Sequence, residues 1–473
     1  MSNAQRLAGE NMLVFALGLG LLPILGVAPT VARFRRIWPV GYLAGLAAVG
    51  IVAATLAVLS VPFPPVALVV GAAITVALGA RRLNRGPRAT PPAVARIDRV
   101  VTAVLAPLLT LSLAWASWAY ATQPLREWDG WAIWGLKAQA IAALGSSSHA
   151  VLASNAYDFS HLEYPLLLPA LEALGIRSAG GFESRLVVLQ CVLVGVAGLL
   201  AIWGLLRDRV RPAVVWPFLA AIATAPAVFV QLASGYADMP MAFFLACGLL
   251  AGGRWLLEPD RSWLVLASLL FAAAAVSKNE GVLFVAAAYV GLIVAARGRR
   301  MPVLLSAAAV VCTLIPSRVF LVVHHFSTSD FHFSKSFDPS WVGSRIDRLP
   351  TALSALMRHS VDVHRYGLLL PLGVTALAVC FASRARSLAI FGAVFALLSI
   401  AGLLWIYVIS WIPLDLYLAQ TEGRITAGVI LGCAALAPLL LTEACAPSPV
   451  QPDALSRVPS RGRQTEAGAA ADA

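Results

Sequence analysis

Charge is what this sequence has least of. Only 12% of its 473 residues are Asp, Glu, Lys or Arg, where a soluble domain carries about 25%. Lysine occurs only at Lys137, Lys278 and Lys335. A chain that is 60% hydrophobic, with a mean hydropathy of +0.82, cannot hide that much apolar surface in water. Disorder is excluded as well, because disordered chains are polar and highly charged. The class that remains is an all-α, polytopic membrane protein. Several motifs are also missing. The cysteines Cys191, Cys247, Cys312, Cys380, Cys433 and Cys445 show neither zinc spacing nor a disulfide framework. The seven histidines lack His-x-Glu-x-x-His spacing. There is no Gly-rich phosphate loop ending in Lys-Ser/Thr and no fixed-period repeat, which argues against transport driven by this chain's own ATP hydrolysis.

What is present is a series of apolar runs. A span needs roughly 20 apolar residues. Runs occur near 12–29, 40–61, 66–80, 100–121, 186–206, 213–233, 239–257, 263–276, 282–295, 303–323, 366–381, 388–411 and 425–441, giving about thirteen expected transmembrane helices. The first lacks a basic flank and a small-residue cleavage site, so it reads as a retained helix. Arginine clusters at 33–36, 81–99, 207–211, 297–300, 384–386 and 457–463 all fall on one side under that count. That side is expected to be the cytoplasm. The net charge of +12 is then a topology signal and does not point to nucleic acid.

Four regions follow. Residues 1–99 hold three helices. Residues 100–300 form a core with an outer loop at 122–185, where interfacial helices are expected around Trp131, Trp134 and Ile141. Residues 301–443 hold the remaining helices and an outer loop at 324–365. Residues 444–473, rich in Pro, Ser, Gly and Ala, read as a disordered cytoplasmic tail.

The candidate site residues are the few charges on the outer side. The first outer loop opens with Arg126-Glu127-Trp128-Asp129-Gly130-Trp131, an acid pair framed by tryptophans. A carboxylate at the interface can take a proton from a hydroxyl group within hydrogen-bond reach. The same loop continues with Asp158, His161, Glu163, Tyr164 and Pro165. The turn Ser234-Gly235-Tyr236-Ala237-Asp238-Met239-Pro240 connects two apolar helices, where Asp238 also suits a helix cap. Lys278 and Glu280 separate two half-length apolar segments. Charges that close to membrane depth are costly and usually functional, although this pair can also neutralise itself. Arg318 and Arg424 stand at outer helix ends, where a guanidinium can bind a phosphate through parallel hydrogen bonds.

The order of these pieces resembles the integral-membrane glycosyltransferases of the GT-C type. They include the bacterial relatives of dolichyl-phosphate-mannose protein mannosyltransferases and the lipid A aminoarabinose transferases. The likeness rests on Asp129, then Glu163-Tyr164-Pro165-Leu166, a span opening at Ser184-Arg185-Leu186, the Asp238-Met239-Pro240 turn and the Lys278 turn. It covers about Val100 to Ala295. Tyr-Pro-Leu stands where Pro-Pro-Leu is usual, and the three spans before Val100 are an addition to the usual core. The resemblance implies a polyprenyl-phosphate-linked sugar as donor, and a glycan, lipid or protein acceptor. It implies Asp129 as general base, Glu163 and Asp238 as further catalytic acids, and Lys278, Arg318 and Arg424 at the donor phosphate. Glu127, Asp158, His161, Tyr164 and Glu280 are expected around the acceptor, and a divalent ion is left open. The implied location is a bacterial inner membrane, with the site on the extracytoplasmic side. Two other readings stay open. One is a secondary transporter or flippase built on half-helices at Lys278 and Glu280. The other is a lipid-linked glycan polymerase or ligase using His359, His364 and Arg365 of the second outer loop.

Overall fold

A computed structural model describes residues 2–86, 95–328, 330–383 and 385–446, without the side chains of Tyr120 and Ala121. Among the described residues the protein is all-helical, with two isolated β-bridges and no strand. Most of the expected tail, from residue 447 on, lies outside them, as do Arg384 and part of the 81–99 arginine cluster.

The chain opens with α1 (Asn3–Ile24), α2 (Val40–Val58), α3 (Pro65–Arg82) and α4 (Arg96–Ala121). The first outer loop holds α5 (Leu136–Leu144) and α6 (Leu167–Ala179). Next come α7 (Ser184–Leu206), α8 (Pro212–Thr224), α9 (Pro226–Ala233), α10 (Asp238–Leu257), α11 (Arg261–Ser277), α12 (Asn279–Ala295) and α13 (Arg300–Val323). The last are α14 (Arg348–Val361), α15 (Leu369–Phe381), α16 (Arg386–Ile409), α17 (Leu414–Thr421) and α18 (Ala427–Ala444). All thirteen apolar runs are helical.

Nine of these helices are long and apolar enough to cross a membrane, and α8 with α9 makes a tenth candidate bent by 52°. The bend falls at Pro226, which has no N–H to continue the helix. The shorter apolar helices are α11, α12 and α15. The chain is therefore a multi-pass membrane protein.

Small residues set the packing, as they do where lipid supplies no hydrophobic drive between helices. Gly18 and Gly45 let α1 and α2 touch backbone to backbone, and Gly20 and Gly79 do the same for α1 and α3. The most enclosed helix is α10, which packs on α7, α11 and α18. A methyl group on its Gly248 would stand 2.6 Å from the Phe271 ring. By contrast, α3, α4 and α13 are largely exposed and form the apolar perimeter.

Charged contacts gather at the two opposite ends of the helices. At one end Arg254, 2% exposed, pairs with Asp208 at 2.5 Å and Glu258 at 3.2 Å. There Arg209 meets Glu258 and Glu443, Arg211 meets Asp98, and Arg33 meets Asp260. At the other end Asn3 bonds Glu183, and Arg177 donates to the carbonyls of Phe63, Ile141 and Ala142. The basic clusters at Arg33, Arg82, Arg209 and Arg299 thus lie together at the first end.

The first outer loop departs from the expected interfacial layer. Trp128 and Trp131 are exposed, but Trp134 is 1% exposed and packs with Ile133, Leu168, Cys191 and Ala237. The loop's α6 is buried along almost its whole length against α1, α2, α5 and α7.

Candidate active site

Asp129 is carried in by a tight contact. It opens a π-helix, Asp129–Gly135, a wide turn often found at functional sites. The next residue, Gly130, lies against the Ser234 carbonyl with no room for a side chain. Gly235, with φ of +72°, makes the facing turn in the left-handed region that favours glycine. Asp129 therefore sits beside the start of α10, more than a hundred residues away in sequence.

Arg424, before α18, donates through Nη1 to Asp129 Oδ2 at 2.5 Å. Its guanidinium lies 4.8 Å from the centre of the Tyr236 ring. The Tyr236 hydroxyl in turn donates to Glu127 Oε2 at 3.3 Å. Burial opposes the charge on Arg424, but Asp238 and Asp129 outweigh it and hold its pKa above the ordinary guanidinium value. Arg424, read from sequence as a phosphate ligand, is here the partner of Asp129.

Asp238 is the first residue of α10, one position past its N-cap, Ala237. Its Oδ1 accepts a hydrogen bond from Lys278 Nζ at 2.6 Å, and Lys278 also meets Glu280 at 3.1 Å. Lys278 is extended, with φ of −156° and ψ of 154°, and so breaks the chain between α11 and α12. Both charges of the Asp238–Lys278 pair are almost fully buried. Asp238 Oδ2, Glu280 Oε2 and Arg424 Nε are enclosed without a hydrogen-bond partner.

A second wall comes from the first outer loop. Glu163 is 4% exposed, a carboxylate held inside the protein. His161 Nδ1 stands 3.2 Å from Glu163 Oε1. Burial opposes protonation of His161, but the bond to and charge of Glu163, with that of Asp330, raise its pKa above the usual histidine value. The His161 ring stacks on Tyr164 at 4.8 Å, and Tyr164 stacks on Trp134 at 5.5 Å. Beneath them lies Lys137, whose Nζ donates to the His161 carbonyl. Burial pushes the Lys137 pKa down to about 7, with Glu163 working the other way.

Against Glu163, Tyr164 and Glu280 lies a cavity of about 430 Å³, whose lining does not include Asp129, Asp238, Lys278 or Arg424. Glu163, Tyr164, Glu280, Arg318, Asp330 and Tyr417 line its polar part. Val282, Leu283 and Ala286 of α12 and Trp405, Ile406 and Ile409 of α16 line the rest. Arg318 forms no hydrogen bond or ion pair among the described residues, so its charge is available to a ligand. It also borders a small recess that Glu163 and Tyr164 share.

Asp158 stays exposed outside this cavity. His359 pairs with Glu422 at 3.3 Å, so the second outer loop meets the Arg424 segment, and Arg365 pairs with Asp362 at 3.7 Å within the loop. His364 remains exposed. Sequence reading missed Lys137, Asp330, Trp405 and Tyr417. A lysine inside the apolar stretch after Trp134 was the one available signal; the others became neighbours only through folding. Among the described residues no three His, Cys, Asp or Glu side chains are grouped to hold a metal ion, and no step below runs through one. No family model, curated protein or solved structure matches the chain.

Proposed function

We propose that the protein is a membrane-embedded glycosyltransferase of the GT-C type, moving a sugar from a polyprenyl-phosphate donor to an acceptor hydroxyl. The observation that carries this reading is the convergence of Asp129, Glu163, Asp238, Lys278, Glu280, Arg318 and Arg424 at one end of the bundle, beside a cavity that turns from polar to apolar. An amphiphile with a charged head and a hydrocarbon chain suits that gradient. The prenyl chain would lie between α12 and α16, with its phosphate at Arg318.

In the reaction, the acceptor oxygen bonds to the anomeric carbon as the bond from that carbon to the phosphate oxygen breaks. The hydroxyl proton passes to the Asp129 carboxylate. The leaving phosphate keeps the bonding electron pair, and fixed cations stabilise it. Arg318 is free to do this directly. Arg424 holds one Asp129 oxygen, and the other would take the acceptor proton. Lys278 pairs with both Asp238 and Glu280.

The fuller topology belongs to the same reading. Thirteen crossings need α11, α12, α15 and the bent α8–α9 pair each to span. The arginine-rich end then faces the cytoplasm and the site faces outward, as expected for a bacterial inner-membrane enzyme. The test is an assay of membranes containing the protein with a panel of polyprenyl-phosphate sugars. One donor should release polyprenyl phosphate and label an acceptor; no turnover with any of them contradicts the reading. The transporter alternative draws on the buried charges at the α11–α12 break, and intact donor crossing vesicles would favour it.

A further inference from the structure

Lys137 plays no part in the chemistry just described, yet it is the most deeply enclosed lysine of the chain. It lies in the first turn of α5 and is 0% exposed. Its Nζ donates to the backbone carbonyl of His161. The ammonium also lies 5.8 Å from the centre of the Trp134 ring and 5.7 Å from that of Tyr164. A buried charge is expensive, and removing its partners or replacing it by an apolar side chain of similar volume is a large change in the local balance. Methionine would fill the same space without that penalty.

What the lysine holds accounts for it. His161 has φ of +53°, a left-handed conformation uncommon for a residue with a side chain. This corner turns the chain so that the next residues face the cavity. The His161 ring then braces both of its neighbours, bonding Glu163 at 3.2 Å and stacking on Tyr164 at 4.8 Å. Tyr164 has Trp134 on its other face. Glu163 and Tyr164 both line the large cavity and the small recess. One buried lysine amino group therefore sits under a strained corner, an aromatic stack and the acidic wall of the site.

We propose that Lys137 is a positioning residue of this site, which through the His161 carbonyl fixes Glu163 and Tyr164 in the cavity wall. It reaches no ligand itself. That the wall faces an acceptor hydroxyl rests on the glycosyl-transfer reading; the brace does not.

The test uses the purified full chain carrying Lys137→Met, which keeps the apolar stem and removes the ammonium. Lys137→Gln, which keeps a donor, is the second variant should the first fold poorly. With an active donor, kcat should fall about 10²-fold in Lys137→Met, the scale of a misplacement near 1 Å. The donor KM should stay put, because the donor cation Arg318 is elsewhere. Lys137→Gln should recover part of kcat.

The second readout is the protonation of His161, followed by NMR of labelled histidine and assigned with His161→Gln. The groups facing that ring are Glu163 and Asp330, which favour its proton, and Lys137, which opposes it. If Lys137 holds the corner, its loss frees His161 from Glu163 and the midpoint falls toward that of an ordinary histidine. A midpoint that rises shows that only a repelling charge was removed, and overturns the proposal. An unchanged midpoint with unchanged kcat overturns it as well. If the wild-type protein transfers no sugar, the glycosyl-transfer reading fails while the His161 midpoint still decides the role of Lys137.

Discussion

Lys278 and Arg318 are both cations at the candidate site, and their surroundings make opposite demands. Lys278 is 4% exposed and compensates two acids. Lys278→Ala removes the ion-pair partner of the buried Asp238 and of Glu280, leaving Asp238 only the more distant Arg424, so it should destabilise the protein by about 3–5 kcal/mol. The expected result is poor yield or a lowered melting temperature in detergent. Adding Asp238→Asn should restore much of the stability, and a lone Lys278→Ala that melts like wild type would remove the ion pair as a structural element. Arg318 has no partner among the described residues to leave stranded. Arg318→Ala should therefore fold normally and raise the donor KM at least about tenfold, the worth of one charge-assisted hydrogen bond. An unchanged donor KM would take Arg318 out of the phosphate site.

At the scale of elements, Gly130 joins two segments that carry the chemistry. A side chain there would collide with the Ser234 carbonyl and come within 2.9 Å of Leu125. Gly130→Ala should push the Asp129 helix off α10 and reduce transfer about 10²-fold, with the fold intact. Gly9→Ala, where nothing lies within 4 Å, is the matching control and should behave as wild type.

The helices themselves were legible, because each apolar run became a helix or, for 213–233, the bent pair α8 and α9. Burial inside the outer loop was not. The run after Pro165 is 13 residues long as α6, too short to read as a span, and only the fold shows that it fills the space between α1, α2 and α7. Trp134 looked interfacial because its neighbours Trp128 and Trp131 are, but one turn of helix places it inside. The acids were found as candidates and the Lys278–Glu280 pair was open to the sequence, whereas the pairings of Asp238 with Lys278 and of Asp129 with Arg424 were not. Asp238 could as well have been a cap, and Arg424 lies 295 positions from Asp129. Partnerships at that separation leave no local pattern for a single sequence to show.

The whole molecule sorts its scarce charge between two ends. One end carries the arginine network of Arg33, Arg209, Arg211 and Arg254, and the other carries the candidate site. This division predicts opposite accessibilities. In a background lacking native cysteines, Phe159→Cys should react with a membrane-impermeant thiol reagent on intact cells, while Arg36→Cys should react only after lysis. Labelling of both positions from outside would reject the proposed orientation. The central claim is that this end of the molecule breaks a sugar–phosphate bond, and does not merely move a lipid across the bilayer. It is tested most directly with purified protein in vesicles, following both donor location and donor integrity for wild type and Asp129→Asn. The account predicts that wild type releases polyprenyl phosphate and glycosylates the acceptor. Asp129→Asn should fold equally well and lose about 10²–10⁴-fold of that rate, the usual weight of a general base. Donor that crosses the membrane intact, with equal efficiency in both proteins and no sugar transferred, would contradict it.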